Sequence, residues 1–157
     1  MKQKRILKVI SGGQTGADRA AFDFALENNF EIAGWIPKNR LAEDGRVSEK
    51  YKNLRETETE NSAERTELNV RDSDATLILS HGGLFGGSRL TKQFAEKYQK
   101  PFLHIDFLAW SFDEAVEKTK EWLTSINCKK LNVAGSRSSE DPNIYEKTKE
   151  LLKKLFG

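Results

Sequence analysis

Short apolar runs alternate with segments of helical periodicity along the whole chain. The run ILKVIS at 6–11 ends at two glycines, and the alanines and Phe24 within 17–25 then recur with the spacing of one helix face. ATLILS at 75–80 is an unbroken apolar run, which is typical of a strand covered on both faces. The pattern therefore predicts a strand, a glycine turn and a helix at the start, and a fully buried strand near the middle.

The alternation continues to the end of the chain without an internal repeat or a low-complexity tract. Further strands are predicted at 31–37, 102–106 and 130–136, and further helices at 62–72, 89–98, 113–125 and 143–156. Strands that alternate with helices indicate a mainly parallel sheet with helices on both faces. We predict one Rossmann-like domain over 1–157, an α/β three-layer sandwich with a sheet of about five strands.

The polar segment 38–61 breaks this rhythm. It follows the strand that ends at Pro37, and it is too long for an ordinary connection between elements. Long surface loops often carry function, so we predict a lid or an edge of a binding pocket. Lys38 and Arg40 are its expected anion-facing residues.

Three glycine-rich turns follow predicted strands: SGGQTGADR at 11–19, HGGLFGGSRLT at 81–91 and AGSRSSEDP at 134–142. In a parallel sheet such turns meet at the carboxyl ends of the strands, where ligands bind. Glycines allow close approach of the backbone, and the start of the following helix attracts an anion. The predicted binding residues are Gly12, Gly13, Gln14, Thr15, Gly16, Asp18 and Arg19 in the first turn, Gly82, Gly83, Gly86, Gly87, Ser88 and Thr91 in the second, and Gly135, Ser136 and Arg137 in the third.

Each turn also has a simpler interpretation. The first can be a tight turn in which Thr15 or Asp18 serves the helix start, and the second can be a flexible lid or a plain helix entry. Ser139 or Asp141 before Pro142 is an ordinary helix start signal, so the third turn fits either interpretation equally well. The first and second turns together are much stronger evidence for an anion site than either turn alone.

Known catalytic and cofactor motifs are missing from the sequence. The first turn has neither the GxGxxG spacing nor the GxxxxGK[ST] lysine, which argues against NAD and ATP as obligate cofactors. There is no GxSxG elbow, and neither histidine has a metal-binding spacing. His81 follows a strand and can reach the site, whereas His104 is expected to be a satisfied core histidine. We assign no catalytic residue and predict no tightly bound metal.

Composition narrows the class of partner. Lys and Arg number 26 against 24 acidic residues, a net charge of +2, so the clustered basic charge that binds nucleic acid is not expected. Cys128 is the single cysteine, which excludes an internal disulfide, suits a reducing compartment and predicts a small buried residue. MKQKRILKVI has no apolar run of signal or membrane-spanning length. We expect a cytoplasmic protein that does not contact membranes.

The ordered set of motifs resembles the molybdenum cofactor carrier family, which is related to the LOG-type lysine-decarboxylase-like proteins. The resemblance covers nearly the whole chain and implies a Rossmann-like fold, often in a homo-oligomer. It also implies that molybdenum cofactor (molybdopterin), or a related nucleotide-like ligand, binds near the glycine turns. The motifs are ISGGQTGADRAAFDFA, GWIPKNRLAEDGRVSEKY, RTELNVRDSDATLIL, GGLFGGSRLT with KPFLHID, and LNVAGSRSSEDPNIY.

One departure from the LOG pattern separates the alternatives. LOG-type phosphoribohydrolases carry PGGxGTxxE, whose glutamate belongs to the catalytic site, whereas here Leu90 and Thr91 stand about where acids would fall. This favours a binding or carrier protein for a small anionic, phosphate-bearing ligand. An N-glycosidic hydrolase of nucleoside 5′-monophosphates is the second hypothesis, with Asp18 or Asp106 as the substitute acid. A nucleotide-sensing regulatory domain is the third.

Overall fold

Six strands form one parallel sheet in the computed structural model, which describes residues 6–157. The charged start MKQKR, on which part of the cytoplasmic prediction rests, lies outside the described residues. The strands are β1 (Lys8–Ile10), β2 (Glu31–Ile36), β3 (Leu41–Ala42), β4 (Gly45–Arg46), β5 (Leu54–Glu56), β6 (Ala75–Ser80), β7 (Phe102–Asp106) and β8 (Lys130–Gly135). The helices are α1 (Ala17–Glu27), α2 (Ser62–Asp72), α3 (Gly86–Lys97), α4 (Phe112–Ser125) and α5 (Ile144–Phe156), with a 3₁₀ turn at Lys38–Arg40.

The strand order of the sheet is β5-β2-β1-β8-β6-β7, and each neighbouring pair is parallel. The chain runs outward from β1 through β2 to β5, crosses to β6 and β7, and returns with β8 to the centre. The winding direction therefore switches where β1, β8 and β6 lie side by side. Because all strands point the same way, the turns after these three strands meet at one edge of the sheet.

Helices cover both faces of the sheet, as predicted. On one face α1 packs against α5 and α5 against α4, and on the other α2 packs against α3. This arrangement explains why every residue of β6 is buried. The Rossmann-like α/β fold expected from the sequence is confirmed, with six strands in the main sheet instead of about five.

The extra strand lies in the polar segment 38–61, which is far from structureless. After the 3₁₀ turn, β3 and β4 pair antiparallel as a short hairpin, and β5 then extends the sheet at the outer edge of β2. Each of these strands has only two or three residues, too few for a recognisable alternation of apolar and polar positions. The sequence therefore shows the length of the segment but not its internal order.

The start of α3 and the extent of β1 differ most from the predictions. α3 begins at Gly86, three residues before the predicted Arg89, and β1 covers only three residues of the predicted 6–11. Glycines lower the helical signal of a segment even where the backbone is helical. The glycine pair at the start of α3 therefore hid its first turn.

The described residues test the predictions for Cys128 and for membrane-spanning segments. Cys128 is 4% exposed and belongs to the core, and burial raises the pKa of its thiol to about 12. The expected small buried cysteine is thus confirmed. Within residues 6–157, no helix has the length and apolar character needed to span a bilayer.

Candidate functional site

A pocket of about 240 Å³ lies where the three glycine turns meet, at the carboxyl ends of β1, β6 and β8. α2 and α3 complete its wall, so five elements converge on a small volume. The lining residues are Gln14 and Asp18 from the first turn and α1, Ser62, Arg65 and Thr66 from α2, Gly86, Gly87, Ser88, Leu90 and Thr91 from α3, and Ala134, Gly135, Arg137 and Glu140 from the third turn.

The second turn is the open part of this pocket. Phe85 occupies the N-cap of α3 and provides no side-chain hydrogen bond to the first amides of the helix. A Cβ atom added at Gly83 or Gly87 would meet no atom within 4 Å. The start of a helix leaves several N–H groups without intrahelical partners, and its partial positive charge favours an anion. α3 therefore presents an uncapped N-terminus to the pocket.

Two of the other four helices, α2 and α4, have side-chain caps at their starts, whereas α1 and α5 do not. Asn61 accepts a hydrogen bond from the Ala63 amide at 3.0 Å at the start of α2, and Ser111 and Glu114 form a reciprocal capping box on α4. Ser, Thr, Asp and Asn at this position stabilise a helix by about 0.5–2 kcal/mol relative to alanine. Phe85 does not provide this stabilisation. Among the helices of residues 6–157, α3 alone has open glycines at its start and lies at the pocket.

Some predicted residues of the second turn line the pocket, and others are bonded within the protein. Ser88 is 6% exposed and lines the pocket, whereas the Thr91 hydroxyl donates to the Gly87 carbonyl at 2.9 Å. Gly82 and Gly83 lie outside the lining, and the Gly82 amide donates to Asp106 at 2.6 Å. The anion-binding prediction for this turn therefore concentrates on Gly86, Gly87 and Ser88.

The first turn is closed by contacts within the protein. The Gly13 amide donates to the Ser11 hydroxyl at 3.2 Å, and the Gln14 amide donates to Asp18 at 3.3 Å. At Gly16 the backbone has a φ of 84°, and an added Cβ atom would lie 2.3 Å from the Ser136 carbonyl oxygen. This glycine is needed because the first and third turns touch through their backbones.

The two side chains predicted to hold an anion in the first turn already have acidic partners. The Arg19 guanidinium donates to both Asp44 oxygens at 2.9 and 3.1 Å, and its Nε donates to the Gly13 carbonyl at 3.1 Å. The Thr15 hydroxyl donates to Glu43. Gln14 and Asp18 line the pocket, while the other predicted residues of this turn support its walls.

Arg65 is a pocket residue that sequence analysis missed. Its side chain is 13% exposed, and its Nη1 donates to Asp18 at 3.1 Å. It lies flat against the first turn, because a Cβ atom at Gly12 would be 2.2 Å from Nη1. Its Nε is buried and has no hydrogen-bond partner among the residues that the structure describes. An arginine this close to the start of a helix opposes the helix dipole, which is the sequence signal that could have identified it.

Asp18 is the deepest carboxyl group of the pocket. It is 4% exposed, and burial raises its pKa although Arg65, the Gln14 amide and Arg19 favour the charged form. The pair of Asp18 and Arg65 places one negative and one positive group at the floor of the pocket. The uncommitted donor of this pair is the Arg65 Nε atom.

The third turn contributes Arg137 and Gly135 to the lining. Ser136 lies beneath the pocket, 7% exposed, and its carbonyl accepts a hydrogen bond from the Ala17 amide at 3.1 Å. The Arg137 Nε lies 3.6 Å from Glu43 and 3.8 Å from Glu140. Arg137 therefore lies at the pocket between two carboxylates.

Lys38 and Arg40 do not line the pocket. Arg40 is 8% exposed, and its guanidinium donates to the carbonyls of Val47, Ser48 and Tyr51 at 2.9, 2.8 and 3.2 Å. These bonds hold the long segment together and leave Arg40 no free face toward the glycine turns. The segment does reach the site, but through the acidic tip of its hairpin instead of through basic residues.

The two histidines are both engaged outside the lining. His81 Nδ1 lies 2.6 Å from Asp141, and its ring packs near Phe107 at 5.4 Å between centroids. His104 Nε2 lies 2.7 Å from the Ser80 hydroxyl, as expected of a satisfied histidine. In the described part of the chain, no group of three or more His, Cys, Asp or Glu side chains is placed to hold a metal ion.

A wider groove of about 820 Å³ lies away from the glycine turns. Its wall includes Lys8, Glu31 and Lys130, which begin β1, β2 and β8, so it extends to the amino ends of the strands. Trp35, also in the wall, donates from its indole to Asp72 at 2.9 Å. Ligands of parallel sheets bind at the opposite, carboxyl ends, which assigns the site to the smaller pocket.

The parallel sheet, the helices on both of its faces and the switch in winding direction place the chain in the Rossmann-like class of α/β folds. The chain belongs to the circularly permutated YpsA SLOG family, whose model matches residues 9–156. It is also similar to a protein of Syntrophus aciditrophicus SB whose crystal structure is described as that of a "putative molybdenum carrier protein". The two chains share 52% sequence identity and a TM-score of 0.94, over 97% of this chain and 96% of the other. No curated protein matches the sequence.

Proposed function

We propose that this protein binds and carries a small anionic, phosphate-bearing ligand in the pocket between the glycine turns. The observation that carries the proposal is the uncapped N-terminus of α3, which opens into the pocket that Arg65 also lines. A phosphate at this position would accept hydrogen bonds from the amides of Gly86, Gly87 and Ser88. Amides fixed by a helix bind an anion without reorganisation of side chains.

The proposed ligand is molybdenum cofactor or a related pterin or nucleotide. The description of the similar Syntrophus protein as a molybdenum carrier supports the first of these. A volume of about 240 Å³ is below the roughly 300–1,000 Å³ of most ligand pockets, so the pocket accommodates the phosphate end and leaves the ring system nearer the surface. Molybdenum would arrive as part of the cargo, since residues 6–157 offer no cluster that could hold a metal by itself.

The matched variants Gly87→Asp and Gly87→Ala test the site. A Cβ atom at Gly87 meets no neighbour, so both variants should fold, and an acidic residue in the first turn of a helix is favourable for stability. The aspartate, however, would repel a bound phosphate. Isothermal titration with metal-free molybdopterin and with AMP should show affinity lowered about tenfold or more by Gly87→Asp, which is about 1.4 kcal/mol. Gly87→Ala should bind as the wild type does.

Equal affinity in both variants would rule out the helix start as the phosphate site. A thermal shift provides a second readout, because a ligand at 100 times its dissociation constant that binds only the folded state stabilises it by about 2.7 kcal/mol. Molybdopterin and AMP should be compared at the same free concentration, where the ligand with the lower dissociation constant gives the larger shift. The ligand with the lower dissociation constant then identifies the class.

Hydrolysis of nucleoside 5′-monophosphates is a second candidate function, favoured by one observation. Asp18 lines the pocket, and burial raises its pKa, which moves the group toward the range useful to a general acid or base. Its hydrogen bonds with Arg65 and the Gln14 amide favour a structural role instead. Purified protein incubated with AMP should release no adenine. Release that falls about a hundredfold or more in Asp18→Asn would establish the hydrolase.

We further propose that the protein acts in the cytoplasm as a homo-oligomer and contacts neither nucleic acid nor membrane. The near balance of charges and the single buried cysteine support this setting. Light scattering on the purified protein measures the assembly directly. A monomer at micromolar concentration would overturn the oligomer.

A further inference from the structure

The tip of the β3–β4 hairpin places a carboxylate among four donors of the first and third turns. Glu43 accepts a hydrogen bond from the Thr15 hydroxyl, and from the Ser139 amide at 3.1 Å and the Ser139 hydroxyl at 2.5 Å. The Arg137 Nε lies 3.6 Å from the same carboxylate. These donors come from two segments more than 100 residues apart, and neither segment supplies the group that they hold.

Other contacts of the two turns orient these donors. The Ser138 amide donates to the Thr15 oxygen at 3.1 Å, which leaves the hydroxyl proton of Thr15 to point at Glu43. The Gln14 side-chain oxygen accepts from the Thr15 amide at 3.0 Å and from the Glu43 amide at 2.9 Å. The turns therefore orient the Thr15 hydroxyl independently of the Glu43 carboxylate.

Glu43 is ionised in this setting. Partial burial favours its neutral form, but the hydrogen bonds from Ser139 and Thr15 outweigh burial and hold its pKa below the ordinary value of 4.5. Two hydroxyls, one backbone amide and one guanidinium are also the donors that proteins use for phosphates and other oxyanions. The Glu43 carboxylate thus occupies a set of hydrogen-bond donors that also suits an anion from outside the protein.

We propose that Thr15, Arg137 and Ser139 form a second anion subsite, which Glu43 occupies until an oxyanion or a second phosphate of the ligand displaces it. This inference rests on the proposed function, because Arg137 belongs both to the subsite and to the lining of the pocket. A phosphate that recruits Arg137 weakens its attraction for Glu43. Occupation of the pocket and release of the hairpin tip are therefore coupled.

The hairpin is built so that its tip can move while its base stays fixed. Ala42 and Val47 at the base are buried, 7% and 0% exposed, and Arg40 ties the base to three backbone carbonyls. At the tip, besides the contacts of the Glu43 carboxylate, the Glu43 amide donates to the Gln14 side-chain oxygen, and Asp44, whose side chain is 46% exposed, pairs with Arg19. The base is therefore held by buried contacts, whereas the tip is held by hydrogen bonds and an ion pair at more exposed side chains.

The test compares the affinity of inorganic phosphate for the wild type, for Glu43→Ala and for the control variant Glu49→Ala. Glu49 is an exposed glutamate of the same segment that contacts Arg46 and Arg40 but no subsite donor. If Glu43 fills the subsite in about nine molecules of ten, its removal should tighten phosphate binding about tenfold. Titration calorimetry should show this gain for Glu43→Ala and wild-type affinity for Glu49→Ala.

Hydrogen exchange on the wild-type protein tests the displacement without any variant. Saturating phosphate should speed exchange of the amides in 42–47 and leave those of β6 unchanged. Suppose that phosphate binds the wild type and does not bind Gly87→Asp. If phosphate then leaves hydrogen exchange in the hairpin unchanged, and Glu43→Ala binds phosphate with wild-type affinity, Glu43 is a fixed structural contact and the proposed subsite is wrong. If phosphate binds neither the wild type nor Glu43→Ala, both the subsite and the proposed function fail.

Discussion

The first and second glycine turns look alike in sequence and differ in the folded protein. Both follow a strand of the sheet, both lead into a helix, and both carry several glycines. In the first, amides and side chains bond to Ser11, Asp18, Glu43 and Asp44, all within the protein. Neither α1 nor α3 has a side-chain cap, but in the second turn Gly83 and Gly87 border open space.

The comparison teaches that the glycines of such a turn can serve close packing within the protein or can leave the backbone open. A Cβ atom at Gly12 or Gly16 would overlap Arg65 or the third turn, so these glycines allow close packing. A Cβ atom at Gly83 or Gly87 would overlap nothing, so packing within the chain does not account for these two. Space around a glycine separates the two purposes where composition does not.

The largest expected effect comes from removing the arginine that covers the first turn. Arg65→Ala leaves the buried Asp18 without its main charge partner, which should cost about 3–5 kcal/mol of unfolding free energy at pH 7. Arg71→Ala is the control on the same helix, since its pair with Asp72 is exposed and should contribute about 0–1 kcal/mol. Urea denaturation of both variants measures the difference.

The sign of the pH dependence sharpens this test. The pKa of Asp18 is raised in the folded protein, and without Arg65 it should rise further. A carboxyl group of this kind destabilises the fold when ionised, so its penalty is absent at low pH and appears as the pH rises through the folded pKa. The loss in Arg65→Ala should therefore shrink between pH 7 and pH 5. A loss independent of pH would assign the effect to packing instead of to the uncompensated charge.

The two kinds of glycine give the next largest effect. Gly16→Ala forces a Cβ atom to 2.3 Å from the Ser136 carbonyl oxygen at a φ of 84°, which should cost about 1–3 kcal/mol or more. Gly87→Ala adds a methyl group to open space at a helical position and should stabilise by about 0.5–1 kcal/mol. Chemical denaturation of the pair tests the comparison directly. Equal stabilities would mean that the first turn tolerates a side chain as well as the second does.

The smallest effect concerns the hairpin tip that closes the first turn. The pKa values of Glu43 and Asp44 lie below their ordinary values of 4.5 and 3.8, so both carboxylates stabilise the folded state above those values. This stabilisation is lost as the pH falls through the lowered folded pKa values. The NMR signal of the Ser139 amide, which donates to Glu43, should therefore shift with a midpoint below 4.5. A midpoint at or above 4.5 would contradict the ionised, hydrogen-bonded carboxylate.

Most of the fold could be predicted because strands and helices are recorded locally. The predicted bounds of α2, β6 and β7 agree with the structure, since each has a clear apolar pattern or a flanking start signal. β5 was missed because Leu54–Glu56 is a three-residue edge strand in a polar segment. Its existence depends on pairing with β2, which no local pattern records.

The candidate site was predicted in position but not in detail. The sequence by itself determined that three glycine turns follow three parallel strands, and a parallel sheet must then bring those turns to one edge. Tertiary structure decided which turn stays open, because the hairpin tip reaches Thr15 from 28 positions along the chain and Arg65 reaches Asp18 from 47. Hydrogen-bond partners at such separations are selected by the packing of whole elements. A glycine-rich turn is therefore a closed structural contact in one place and an open helix start in another.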